Sequence, residues 1–211
     1  MKLNQLFSNR PDAGCYVIAE AGLNHNGSLA MAKSLIDLAA ISGADAVKFQ
    51  KRTVDQLAVR EALDAPDERF PEFGQTYREI RQHLEFDMAQ YQQLKTYSEA
   101  KGLDFLVTAF DTEAVDFLEE LGVGGYKLAS HSATNLPLLR YLAPLKKPVV
   151  LSTGMASLDE LDAAVEIFSQ QQTPLVLLHC VSSYPTPPEQ CNLQVMSLLK
   201  ALLGSSKVQA P

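Results

Sequence analysis

The chain has 211 residues, 46% of them hydrophobic and 20% charged, and a formal net charge of −7. That is enough apolar chain for a substantial core in one domain spanning 1–211, and it excludes a general basic surface for nucleic acid or acidic lipid. No run approaches the ~18 apolar residues of a membrane span, the start lacks a secretory apolar segment, and Cys15, Cys180 and Cys191 have neither metal nor redox spacing, so a cytoplasmic protein with reduced thiols is expected.

Strand and helix alternate along the chain. The short β-branched run Cys15–Glu20 reads as a first buried strand. A helix over Ser28–Ile41 follows. It groups Leu29, Leu35, Ile36, Leu38 and Ala39 on one side and stops at Gly43. Ala44–Gln50 is the second strand. Lys51–Phe86 is a long polar insertion, a length that marks a functional or disordered loop. Asp87 opens a helix with Met88, Tyr91, Leu94 and Tyr97 at intervals of three. Phe105–Thr108 is the third strand, and Asp111 caps a helix over Thr112–Leu121. The fourth pair is Gly125–Ala129 and Leu136–Leu145. The fifth is Pro148–Ser152 and a helix opened by the capping box of Ser157 and Glu160, running to about Gln170. Pro174–His179 is the sixth strand, followed by a helix over Asn192–Leu203. Residues 204–211 (GSSKVQAP) read as a weakly structured tail.

This order predicts an α/β fold with a parallel sheet. The nucleotide-binding glycine fingerprint is missing after the first strand, and the short repeats suit a (β/α)8 TIM barrel over an open doubly wound sheet. A complete barrel has eight units; about six are present. The expectation is an incomplete barrel from a truncated gene product or fragment, inactive and poorly soluble alone because its edge strands lack partners.

Barrel catalysis sits at the C-terminal strand ends, and here those ends are polar. Glu20, Asn24, His25, Lys48, Gln50, Thr108, Lys127, Ser130, Ser152, Thr153, His179, Ser182, Ser183 and Tyr184 all fall there or in the loop beyond. The period of two in Ala46–Gln50 puts Lys48 on the face away from Val47 and Phe49, so it points into the barrel. Lys127 likewise interrupts an apolar strand. For each lysine alone the alternative is an ion-paired structural residue, with Glu20 as partner. Two at matching strand ends, with hydroxyls around them, suit a small and highly charged anion, and both are expected to project towards one mouth. Ser152-Thr-Gly154 is either a simple turn or a phosphate cradle. Glu20 is either a structural partner or an acid–base or sugar-binding group. His25, His83, His131 and His179 show no ligand spacing; His83 is expected to be solvated, and His179 to be structural or a substrate contact.

The segments Ile18-Ala-Glu-Ala-Gly-Leu-Asn-His-Asn-Gly27, Gly43-Ala-Asp-Ala-Val-Lys-Phe-Gln50, Tyr126-Lys-Leu-Ala-Ser130, Leu151-Ser-Thr-Gly-Met155 and Leu178-His-Cys-Val-Ser-Ser-Tyr-Pro-Thr-Pro187 resemble the sialic acid synthase family. These are the N-acetylneuraminate synthases and the makers of legionaminic and pseudaminic acids. The resemblance covers about residues 14–203, and His83-Leu-Glu-Phe86 is similar to the animal-type members. It implies a carbon–carbon bond-forming transferase that condenses phosphoenolpyruvate with an N-acylmannosamine-type sugar, giving a nonulosonic acid and phosphate. By position, it implies catalytic roles for Glu20, Lys48 and Lys127. Phosphoenolpyruvate would be held by Lys48, Thr108, Phe110, Lys127, Ser130 and Ser152, and the sugar by Glu20, Gln50, Ser182 and Tyr184. It also implies Mn²⁺ or Mg²⁺, with ligands expected beyond Pro211, a C-terminal antifreeze-like domain absent here, and a homodimeric full-length form. The metal would act as a Lewis acid on the sugar aldehyde.

One departure stands out. His131-Ser132 occupies the place where the family commonly has an acidic residue, which bears on the acceptor sugar. Two other functions fit the same residues: a lyase forming a Schiff base on Lys127 or Lys48, and an inactive truncated fragment of the synthase.

Overall fold

A computed structural model of the chain describes residues 2–7 and 14–203; the tail over residues 204–211 lies outside them. Residues divide into two compact units, Tyr16–Val123 and a second unit made of Met1–Cys15 with Gly124–Pro211.

In the first unit, β1 (Ile18–Gly22), β2 (Ala46–Lys51) and β3 (Asp104–Ala109) pair in parallel with β2 in the middle. Ala46, Val47 and Phe49 of β2 have no solvent exposure. Full burial of side chains such as Phe49 and Ile36 contributes roughly 1.5–3 kcal/mol each. Around these strands run α1 (Leu29–Ile41), α2 (Arg60–Leu63), α3 (Tyr77–Leu84), α4 (Met88–Ala100) and α5 (Thr112–Leu121). Ser28, Asp87 and Asp111 cap α1, α4 and α5 by accepting backbone N–H groups. Gly122, at a φ of 72°, ends α5 in the left-handed region that glycine adopts without strain.

In the second unit, β4 (Tyr126–Leu128), β5 (Val149–Ser152) and β6 (Leu175–Leu178) pair in parallel with β5 in the middle. α6 (Leu136–Leu142), α7 (Leu158–Gln170) and α8 (Val195–Leu203) alternate with them. The Ser157–Glu160 capping box predicted for α7 is formed. The chain thus carries six parallel βα units of the (β/α)8 TIM-barrel type, incomplete in number. Among the described residues, no helix is long and apolar enough to cross a membrane.

Three sequence expectations are revised. β1 starts at Ile18 instead of Cys15, because Val17 is half exposed and its N–H is taken by the Asp45 side chain at 2.8 Å. The buried face of α1 is Ala32, Ile36 and Ala39; of the predicted set Ile36 and Ala39 are buried, Leu29 and Leu35 are half-buried, and Leu38 is 60% exposed. The insertion over 51–86 is ordered. It contains a 3₁₀ turn (Val54–Gln56), α2 and α3, the last opened by a Thr76–Glu79 capping box.

Candidate functional site

The polar strand ends form one cluster in each unit. In the first, parallel pairing sets Glu20 opposite Lys48. A bulge follows, where Glu20 and Gly22 oppose Lys48 and Phe49. Bulges of this kind re-aim side chains. Gly22 is required there: its φ is +54°, and a Cβ on it would lie 2.9 Å from Glu20 Oε1 and 3.3 Å from Gln50 Nε2. The Glu20 carboxylate therefore folds across the strand end.

A chain of polar contacts results. Lys48 Nζ lies 2.5 Å from Glu20 Oε2 and donates to Thr108 Oγ1 at 2.8 Å. Gln50 Nε2 donates to Glu20 Oε1 at 3.1 Å, and Arg52 Nη2 donates to Gln50 Oε1. The Arg52 guanidinium stacks on the Phe110 ring at 3.8 Å. From below, the Tyr91 hydroxyl donates to the Gln50 carbonyl at 2.6 Å and fixes the backbone of that strand end. Burial pushes the Lys48 ammonium below its ordinary value; Glu20 opposes that shift, and Arg52 adds to it.

In the second unit, Lys127 is also buried. Its Nζ donates to Ser152 Oγ and to the Leu128 carbonyl, both at 2.6 Å. Ser130 Oγ accepts the Gly154 N–H at 3.1 Å, so the β4 and β5 ends are joined at their hydroxyls. Thr153 donates to the Leu178 carbonyl at 3.0 Å and Ser182 to the Gly154 carbonyl at 3.0 Å. Gly154 admits no side chain. A Cβ there would lie 2.8 Å from Ser182 Oγ and 2.9 Å from the Cys180 carbonyl.

Tyr184, expected on the sugar side, is 96% exposed, and among the described residues no polar contact is drawn to its side chain. Three of the histidines make contacts to the backbone. His25 is buried against Phe86 with ring centroids 4.3 Å apart, accepts the Gly27 N–H at Nδ1, and is pushed down by burial to about 4. His179 Nε2 donates to the Cys191 carbonyl at 2.7 Å. His83 is exposed, as expected, with Nε2 3.2 Å from the Asn26 carbonyl and its ring stacked on Phe73.

The NeuB family model matches residues 35–208. The chain belongs to the NeuB family. Among its curated relatives, an N-acetylneuraminate-9-phosphate synthase of Drosophila melanogaster is 38% identical over 201 residues, covering 95% of this chain and 54% of that protein. An N,N'-diacetyllegionaminic acid synthase of Campylobacter jejuni is 40% identical over 188 residues, 87% of this chain and 56% of that protein. The chain thus spans about half the length of the curated relatives it matches. The crystal structure of an N-acetylneuraminic acid synthetase from Leptospira borgpetersenii, in complex with citrate, superposes with a TM-score of 0.75 at 36% identity. It covers 88% of this chain and 61% of that one.

Sequence reasoning missed Arg52 in this NeuB-family chain. It is two residues beyond Gln50, past the alternating pattern that singled out the strand end, and only the fold brings it onto Phe110 and Gln50. Among the described residues no three His, Cys, Asp or Glu side chains converge, and His25 and His179 already use a ring nitrogen on the backbone.

Proposed function

We propose that the chain binds phosphoenolpyruvate and takes part in its condensation with an N-acylmannosamine-type sugar, the reaction of a nonulosonic acid synthase. The observation that carries this reading is the pair of buried lysines at C-terminal strand ends, each against a hydroxyl: Lys48 with Thr108 and Lys127 with Ser152. Phosphoenolpyruvate carries a carboxylate and a phosphate. Ammonium and hydroxyl donors in dry surroundings give charge-assisted hydrogen bonds to such groups. Ser130 adds a hydroxyl, and Phe110 an apolar wall stiffened by Arg52.

On the sugar side we assign Glu20, Gln50, Ser182 and Tyr184. Glu20 is the group best placed to move a proton, since its side chain is 47% exposed while Lys48, at 10%, holds it from behind. Ser182 and the exposed Tyr184 lie on the loop after β6.

The Schiff-base alternative is less well supported. An amine nucleophile must be deprotonated and free to attack; burial lowers the Lys48 pKa towards that form, but its Nζ is engaged by Glu20 at 2.5 Å and by Thr108 at 2.8 Å, and the Lys127 Nζ by Ser152 and the Leu128 carbonyl, both at 2.6 Å. The test is borohydride treatment in the presence of pyruvate, alongside thermal melting with phosphoenolpyruvate. The proposal expects no covalent adduct by mass spectrometry and a raised melting temperature with phosphoenolpyruvate. An adduct on Lys48 or Lys127 with no such shift would replace it with the lyase reading.

A further inference from the structure

Arg52 stands one residue beyond β2 and continues the period of two that places Lys48 and Gln50 on one face. Its backbone is pinned on both sides. The Arg52 N–H donates to Glu85 Oε2 at 3.3 Å, and the next residue, Thr53, donates to Asp111 through its N–H and its hydroxyl, each at 2.8 Å. The bonds to Asp111 bring residue 52 alongside residue 110, and the Arg52 guanidinium lies on the Phe110 ring at 3.8 Å. A guanidinium on an aromatic face is held by cation–π attraction and by the packing of its flat surface. Its Nη1 is buried with no hydrogen-bond partner among the described residues, which leaves the bond from Nη2 to Gln50 as the polar anchor of the side chain.

The Gln50 amide meets two groups of opposite need. A guanidinium can only donate, and a carboxylate can only accept. Arg52 Nη2 donates to Gln50 Oε1, and Gln50 Nε2 donates to Glu20 Oε1 at 3.1 Å. Turning the amide over would set its oxygen against the carboxylate and its amino group against the guanidinium. The other oxygen of Glu20 is held by Lys48 Nζ at 2.5 Å. The Glu20 side chain is 47% exposed, so water competes for the carboxylate wherever Gln50 lets go.

We propose that Arg52 is a positioning residue for the acceptor sugar: it locks the Gln50 amide in one orientation and, through that amide, holds the Glu20 carboxylate in place. The sugar rests on the synthase reading; the locked amide does not. The benefit is preorganisation, because two groups that meet the sugar are ordered before it arrives and its binding need not order them.

The test compares Arg52→Gln with Arg52→Lys. Glutamine both donates and accepts, so it does not dictate which end of Gln50 faces it; lysine only donates, so it does. Nitrogen NMR relaxation of the Gln50 side-chain amide, assigned by its loss in Gln50→Leu, reads the lock itself. Calorimetry reads the affinity for phosphoenolpyruvate, and for N-acetylmannosamine with phosphoenolpyruvate saturating. In the parent chain and in Arg52→Lys the amide should be ordered, and their sugar affinities should agree within about twofold. In Arg52→Gln the amide should become mobile and the sugar should bind about fivefold more weakly, as for one lost hydrogen bond, while phosphoenolpyruvate affinity changes by less than about twofold. Should circular dichroism show Arg52→Gln to be unfolded, Arg52→Met takes its place, since it covers Phe110 and donates nothing. An amide as ordered in the glutamine variant as in the parent overturns the proposal whatever the sugar does. A lysine variant that fails as badly as glutamine, with phosphoenolpyruvate affinity falling alongside, also overturns it and makes Arg52 a packing residue of Phe110. If the parent binds both ligands and Arg52→Gln binds the sugar equally well, the positioning role fails and the synthase reading stands. A parent that binds neither ligand sinks the synthase reading and the sugar role of Arg52 together, which the titration of the parent alone reveals.

Discussion

Replacing Lys48 by Met separates ligand binding from stability. The ammonium lies 2.5 Å from Glu20 Oε2 and 2.8 Å from Thr108 Oγ1. The two ends of the ion pair differ in exposure: 10% for the Lys48 side chain and 47% for Glu20. When the lysine is removed, Glu20 can recover water, and methionine fills the volume left by the alkyl stem. Exchange of a buried ion pair member for a similar apolar volume then nearly cancels, and the stability change should stay within about 1 kcal/mol. The ligand loses a charge-assisted hydrogen bond worth roughly 1.5–3 kcal/mol, which is about 10- to 150-fold in affinity. Titration calorimetry with phosphoenolpyruvate gives the affinity and urea unfolding gives the stability. A folded Lys48→Met chain with affinity within twofold of the parent would refute the assignment. A destabilisation of several kcal/mol would refute the claim that Glu20 can rehydrate.

Three further outcomes are expected. Gly154→Ala places a methyl group 2.9 Å from the immobile Cys180 carbonyl, so urea unfolding should show a loss of about 1–3 kcal/mol. Glu85→Gln leaves Lys51 without its partner where both side chains are about one-eighth exposed (13% and 12%), and should cost about 3 kcal/mol; a change below ~1 kcal/mol would show that the pair is solvated. His25 is held near 4 in the folded chain against about 6.5 unfolded, so the unfolded state binds more protons between those values. Its contribution is complete above about pH 6.5 and is lost as pH falls towards 4, by up to about 3 kcal/mol; His25→Gln should flatten that part of the melting-temperature profile.

The strand ends were legible because they break strong local patterns. Lys48 and Lys127 interrupt apolar runs that otherwise alternate cleanly, and both are buried as that pattern requires. Helix starts at Ser28, Asp87, Asp111 and Ser157 were legible for the same reason, since a capping side chain acts on its own next turn. The Thr76–Glu79 box, with Tyr77, Ile80 and Leu84 at helical spacing behind it, carried the same signal inside the insertion, where the polar composition around it hid it. The bulge between Glu20 and Gly22 was not legible, because it depends on how β1 meets β2 and not on β1 itself. Arg52 lies past the alternating pattern of β2, and only the fold brings it onto Gln50 and Phe110, so no local pattern could single it out. The exposed Leu38 shows the reverse failure: apolarity was read as burial, while Ala32 made the closer contact.

The central proposal is that this chain binds phosphoenolpyruvate and takes part in its condensation with an acylamino sugar. The most direct measurement is inorganic phosphate released from phosphoenolpyruvate by the protein, with mass spectrometry of the sugar. Phosphate release should depend strictly on an N-acylmannosamine or its 6-phosphate, with one three-carbon acid unit added to the sugar per phosphate. Phosphate or pyruvate formed at the same rate without any sugar, or a sugar that gains no carbon, would contradict the account.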